Sequence, residues 1–335
     1  YFGFEIAEVP EHKDMIDECK ALADQSPNYY SPAKQNTYWV SYGGPYMEYL
    51  LYNMERLKRE LKIDGVYLDG ALGMRKADNP AFGAGYNDEN GKRIATVSIR
   101  RTREYAQRIH NLFIPDGGIV FAHVGMSPPT VGYISCAYLG EHVGFLNMPW
   151  KSVDDLIPPE TAINLYAGKN TGIPLKLCMQ NMWPHLRGVR KRWYKKASAW
   201  ADINRNCINV LLENPICKDG KRELTKLRRL REFGANKAQW RPWWELDKEL
   251  KSSHPGILRY SAFVKPDKDM IISVYNSGGA RITDGWIDLK PLLGKTFKQK
   301  TAHNVVNGKP VSLIDGKLKV SAREYEGFTA EIKQK

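Results

Sequence analysis

The chain has 335 residues, 42% of them hydrophobic and 11% aromatic, with 50 Lys and Arg against 37 Asp and Glu, a formal charge of +13. That length accommodates one large domain and a smaller one, and no run of eighteen apolar residues offers a membrane span. Five cysteines, an odd number without a CxxC pair, argue against a disulfide framework or a zinc site and read as buried thiols.

Short strand-like runs alternate with helical patterns from the first residue. The opening YFGFEIAEVP has neither Met nor a basic-then-apolar leader and reads as the start of a mature or trimmed product, already inside a strand at 2–8. A helical stretch around 12–25 follows, then a strand in TYWVSYGG (37–44). PYMEYLLYNMERLKRELK (45–62) begins with Pro, which suits a first helical turn, and repeats Leu50, Met54, Leu57 and Leu61 at helical spacing. KIDGVYLDGA (62–71) supplies a strand over 64–69 that finishes on Asp69 and a glycine.

The polar, Gly-rich segment 77–93 is long enough for a lid or binding loop. The spacing of Thr102, Ala106, Ile109 and Phe113 predicts a helix over 98–113. Strands at 119–124, 135–141, 175–180 and 208–213 follow, with a basic helix at 188–204 between the last two. Seven strands alternating with helices imply parallel β/α units, and we read residues 1–250 as a (β/α)8 barrel whose missing strand would precede the chain's first residue.

After residue 255 the pattern changes. Short strands at ILRYSAFV, DMIISVYN, GWIDL, KLKV and GFTAEI are separated by turn signals such as Asn307-Gly308 and Asp315-Gly316, without a helix between them. This predicts an antiparallel β-sandwich over 255–335, joined through a linker around 240–256.

Barrel active sites gather at the carboxyl ends of the strands. There the sequence places Tyr42, Asp69, His123, Glu141, His142, Asn181, Trp183, His185 and Glu213. Two carboxylates facing one cleft are what glycoside hydrolysis needs, one as nucleophile or charge stabiliser and one as general acid. Asp69 and Glu141 are the expected catalytic pair, with Glu213 in reserve. The plain alternatives are a turn-capping Asp69, since Asp-Gly is a common turn dipeptide, a helix-start Glu141 and a strand-end ion pair at Glu213.

Sugars present C–H faces that pack on aromatic rings, so Trp39, Tyr67, Tyr138 and Trp183 are candidate substrate contacts; the first three read more readily as core, whereas Trp183 lies past a strand end. His123, His142, His185 and Asn181 are expected to bind substrate hydroxyls or anionic groups. The histidines lack HxH or HExxH spacing, and neither a metal nor a cofactor is expected.

Much of the excess charge sits in RGVRKRWYKK (187–196) and KDGKRELTKLRRLREF (218–233), each with apolar residues at helical spacing. Solvated amphipathic faces account for both. The functional alternative is a surface that draws in an anionic glycan; no nucleic-acid-binding motif accompanies the charge.

DGVYLDG followed by a Gly-rich loop, then FAHVG, then YLGEH resembles the barrel of glycoside hydrolase-like proteins grouped near family 123. The barrel-plus-sandwich layout is also similar to that of the retaining α-glycosidases of families 27, 31 and 36. That resemblance implies an Asp nucleophile after strand four and an acidic donor after strand six, where Asp69 and Glu141 fall if one strand precedes the chain. It further implies a bacterial protein of the periplasm or the exterior, acting on an oligosaccharide or polysaccharide. Two departures stand out: the donor is Glu rather than Asp, and the Asp-Glu dipeptide of substrate-assisted family 123 enzymes is absent from the matched stretches. Covalent retention by Asp69 is the first expectation and substrate assistance the second. A carbohydrate-binding protein on a degenerate barrel is the non-enzymatic alternative.

Overall fold

A computed structural model describes residues 5–22, 24–30, 35–70, 72, 76–123, 127–139, 154–155, 157–166, 173, 175–177, 196, 198–204, 218–294, 298 and 300–334. The chain divides into two compact units, residues 1–139 with 171–175, and residues 140–170 with 176–335.

The first unit begins with β1 (Glu5–Ala7), α1 (Lys13–Cys19), β2 (Asn28–Tyr30) and β3 (Gln35–Trp39). These three strands form a sheet of order β1-β3-β2 in which both pairings are antiparallel, with Ile6 opposite Tyr38 and Asn28 opposite Thr37. The strands expected at 2–8 and 38–43 as members of one parallel series are therefore corrected. Only residues 31–34 separate β2 from β3, too few for the crossover a parallel pair requires, so the chain returns as a hairpin and β1 adds to its other side.

Next comes α2 (Pro45–Leu61), with Pro at its start as expected and a left-handed Lys62 (φ 55°) at its end. Its buried arc is Tyr46, Met47, Leu51 and Met54; of the expected stripe Met54 is buried, Leu50 and Leu57 are half-buried and Leu61 is exposed. β4 (Gly65–Asp69) follows, then β5 (Lys76–Ala77), β6 (Tyr86–Asn87), β7 (Arg93–Ile94) and β8 (Thr96–Val97). α3 (Ile99–Phe113) buries Thr102, Tyr105, Ala106, Ile109 and Phe113, the expected face with Tyr105 added. β9 (Ile119–His123), the helical turn α4 (Pro128–Val131) and β10 (Cys136–Leu139) complete the series.

β4, β9 and β10 are parallel neighbours, with Tyr67 opposite Phe121, Asp69 opposite His123, and Phe121 and His123 opposite Cys136 and Tyr138. β11 (Leu175–Leu177), whose first residue belongs to this unit, lies beyond β10. The described residues give this sheet four strands and do not trace a closed ring of eight.

Side chains of a strand alternate between faces. Val66, Leu68, Val120, Ala122 and Ala137 take one face and share a core with Met47, Leu51 and Met54 of α2 and with Tyr105, Ile109 and Phe113 of α3. Full burial of each large aliphatic side chain contributes about 1.5–3 kcal/mol. Tyr67, Asp69, Phe121 and His123 occupy the face away from the helices.

The second unit carries α5 (Lys218–Phe233), β12 (Gln239–Arg241) and α6 (Trp243–Glu249). The stretch expected as a linker thus contains a strand, β12, which pairs with β13 (Leu258–Val264). After it run β14 (Met270–Asn276), β15 (Ile282–Asp288), α7 (Lys290–Leu293), β16 (Lys300–Asn304), β17 (Pro310–Val311), β18 (Leu313–Ile314), β19 (Lys317–Ala322) and β20 (Gly327–Gln334). They form a six-stranded sheet of order β12-β13-β14-β20-β16-β17 and a three-stranded sheet of order β15-β19-β18, with antiparallel pairings.

Both sheets contribute to one core, through Leu258, Met270, Ile272, Ala330 and Ile332 from the larger and Ile287, Leu318 and Val320 from the smaller. The β18–β19 turn has Asp315 at φ 49° and Gly316 at φ 71°, the two left-handed residues that a tight hairpin with the sheet's own twist demands.

Candidate active site

Asp69 ends β4, and Gly70 behind it adopts φ 63°, a conformation glycine takes without steric cost. The Gly70 amide donates to the His123 carbonyl at 2.9 Å, so the two strand ends stay in register through the turn. In parallel strands directly paired residues point the same way, and the Asp69 and His123 side chains meet: Nδ1 of His123 lies 2.8 Å from Oδ1 of Asp69. Their settings differ. The Asp69 side chain is 31% exposed, whereas the imidazole is 2% exposed.

The Tyr67 ring runs close to parallel with the imidazole, their centroids 6.1 Å apart, and lies 5.5 Å from the Phe121 ring. Of the other residues expected at the rim, Tyr42 is buried in the helix-side core with its ring 5.6 Å from that of Tyr105, so it packs where a substrate contact was expected. Trp39 donates from its indole to Glu5 at 2.9 Å within the antiparallel sheet. Tyr138 stands opposite His123 in backbone register. Glu141, His142, Asn181, Trp183, His185 and Glu213 lie outside the described residues, as does most of the basic stretch 187–196.

The segment 77–93, expected as a lid or binding loop, is held by its own hydrogen bonds. β5 pairs with β8 and β6 with β7, Asn79 Oδ1 accepts from the Ala81 amide at 3.0 Å, and Arg93 Nε donates to the Asp78 carbonyl at 2.8 Å. This small structured insertion follows β4 in the chain.

Charged side chains that the sequence suggested were solvated turn out to be anchors. In α5, Lys226 is buried and donates to Asp202 at 2.8 and 2.9 Å and to Ser198 Oγ at 2.8 Å. Arg229 donates to Glu331 at 2.5 Å. The basic face of that helix is in part an internal ion-pairing surface.

Asp154, unmarked by any sequence motif, accepts from Arg259 at 2.9 Å and from the Trp200 indole at 3.2 Å. Burial pushes its carboxyl above the usual carboxylate range, against the pull of the Arg259 guanidinium. Arg259 also lies over the Trp243 ring at 4.7 Å. With guanidinium, indole and carboxylate all engaged, this cluster reads as structural, and the pairing of Asp69 with His123 is the one acid-and-imidazole pair at the carboxyl end of a parallel strand among the described residues.

No family model matches the chain, and no curated protein matches it. Among solved structures the chain is similar to a maltogenic α-amylase of Thermotoga neapolitana, at 11% identity and a TM-score of 0.49 over 100% of this chain and 76% of that one. An Anoxybacillus α-amylase gives 11% identity and a TM-score of 0.49 over 100% and 75%. A GH27 β-L-arabinopyranosidase of Geobacillus stearothermophilus gives 10% identity and a TM-score of 0.42 over 91% and 66%. All three are glycoside hydrolases.

Proposed function

We propose that the protein is a glycoside hydrolase with Asp69 as its nucleophile or charge stabiliser. One observation carries the reading: a partly exposed carboxylate ends a parallel strand on the face away from the helices, hydrogen-bonded to a buried imidazole. In α/β folds ligands bind outside the carboxyl ends of the strands, where the βα connections surround them. A β/α architecture for the parallel strands that begin at β4, with 255–335 as a β-sandwich domain, belongs to this proposal, as does a bacterial periplasmic or extracellular setting.

Glu141, two residues past β10 in the chain, is the proposed acid/base. In the first step Asp69 forms a bond to the anomeric carbon while the glycosidic C–O bond breaks and Glu141 gives its proton to the leaving oxygen. In the second, Glu141 takes a proton from water, whose oxygen bonds to the anomeric carbon and releases Asp69 as a carboxylate. The substrate is an oligosaccharide or polysaccharide, neutral or anionic. The ring of Tyr67, partly exposed and on the same face as Asp69, is the proposed stacking platform.

A panel of neutral and sulfated oligosaccharides read by mass spectrometry tests the proposal. Hydrolysis of at least one member supports it. Binding of panel members without any cleavage overturns it in favour of a carbohydrate-binding protein.

A further inference from the structure

His123 stands at the expected rim, yet its side chain is 2% exposed and its Nε2 is sealed from solvent, so it is not placed to meet a sugar hydroxyl. We infer that His123 is a positioning residue: it donates from Nδ1 to Oδ1 of Asp69 and fixes the carboxylate in the orientation that the glycosidase reading requires. The inference rests on that reading for what Asp69 does, but the pairing itself is a matter of this chain's geometry.

The exposures decide which partner serves the other. Where an imidazole is the working base, a buried acid holds its Nδ1–H and the opposite nitrogen reaches the substrate. Here the arrangement is inverted, with the acid 31% exposed and the imidazole enclosed. The nucleophile role needs Asp69 as a carboxylate, which only accepts hydrogen bonds, and with it the 2.8 Å contact places the proton on Nδ1 of His123. The imidazole cannot easily swing away. Its ring is buried with the Tyr67 ring alongside, and its backbone is anchored where the carbonyl accepts from the Gly70 amide at 2.9 Å. The group that supports Asp69 is thus fixed at both ends, as preorganisation of a reacting group demands.

Two measurements on the full chain test this. With selective ¹⁵N-histidine labelling, the His123 resonances, identified by their loss in His123→Asn, should report a proton on Nδ1 and should shift in Asp69→Ala. A neutral His123 carrying its proton on Nε2, or resonances indifferent to Asp69→Ala, would overturn the inference without reference to any activity.

On a cleaved panel oligosaccharide, His123→Ala should lower kcat on the order of 10²-fold with KM within about threefold, since a misplaced group loses orientation rather than binding. His123→Asn, whose amide can donate from near the Nδ1 position, should recover about tenfold of that loss. If Asp69→Asn abolishes turnover while His123→Ala stays within about threefold of the parent, the positioning role falls and the glycosidase reading stands. If the parent cleaves nothing, the reading falls, and the tautomer measurement still decides the pairing.

Discussion

Asp69–His123 and Lys226–Asp202 are both acid–base pairs assembled from distant parts of the chain, one in each unit, and they sit in opposite settings. In the first unit the acid is the accessible partner, at a strand end, on the face its helices leave uncovered. In the second, the lysine is 4% and the aspartate 16% exposed, and both are engaged with Ser198 and Thr329 hydroxyls. A largely buried pair held by its own hydrogen bonds stabilises the fold and offers no group to a substrate. A pair with its acid at the surface can do chemistry at little structural cost. Exposure of one partner, not the presence of charge, separates a candidate site from an anchor.

The sharpest break in the comparison is Asp69→Asn. It keeps an acceptor for His123 but removes the nucleophile, so turnover should fall on the order of 10³-fold or more, about 4 kcal/mol of barrier, with the melting temperature nearly unchanged. Lys226→Met should do the reverse. It leaves the Asp202 charge enclosed, and urea titration should show a loss of about 3–5 kcal/mol, most of it regained when Asp202→Leu is added.

Leu68→Ala probes the other face of the strand that carries Asp69. Leu68 is fully buried against α2 and α3, and its truncation should cost about 2–5 kcal/mol of stability. Neighbouring residues on one strand would then divide cleanly, one governing rate and the other stability. A Leu68→Ala protein as stable as the parent would contradict the face assignment.

The smallest effect belongs to Glu48→Gln. Glu48 takes a two-pronged contact from Arg108, with one arm at 2.8 Å, and that hydrogen bonding holds its carboxyl below the usual range. Both groups are largely exposed, so solvent screening limits the loss to about 0.2–1 kcal/mol. Because the folded value is depressed, this contribution is present above the unfolded carboxylate range and disappears as pH falls through the folded one. The difference between Glu48→Gln and the parent should therefore vanish in acid denaturation profiles.

Much of the architecture could be read from residue spacing. α3 kept its predicted face because Thr102, Ala106, Ile109 and Phe113 face β4 and β9 along its whole length. The strands after residue 255 were visible because their turns carry Asn-Gly and Asp-Gly, and alternation in β19 follows burial residue by residue.

Pairing direction in β1 and β3 was not legible, since a strand's own pattern says nothing about its neighbour's polarity, and β2, which lies between them in the chain and four residues before β3, was not read as a strand. Burial of Lys226 was hidden for a different reason. A lysine on a basic helix looks solvated until its partner, 24 residues back at Asp202, is brought beside it. At the site, Asp69 was readable as a carboxylate closing an apolar strand, whereas the burial of His123 and its pairing with Asp69 arise only when β9 is set beside β4.

Trapping is the most direct test of the role given to Asp69. Incubation with activated 2-fluoro glycosides matched to a cleaved oligosaccharide, followed by peptide mapping, should leave one sugar adduct on the peptide containing Asp69. An adduct on a different carboxylate, or a parent that turns these reagents over no differently from Asp69→Asn, would contradict the account.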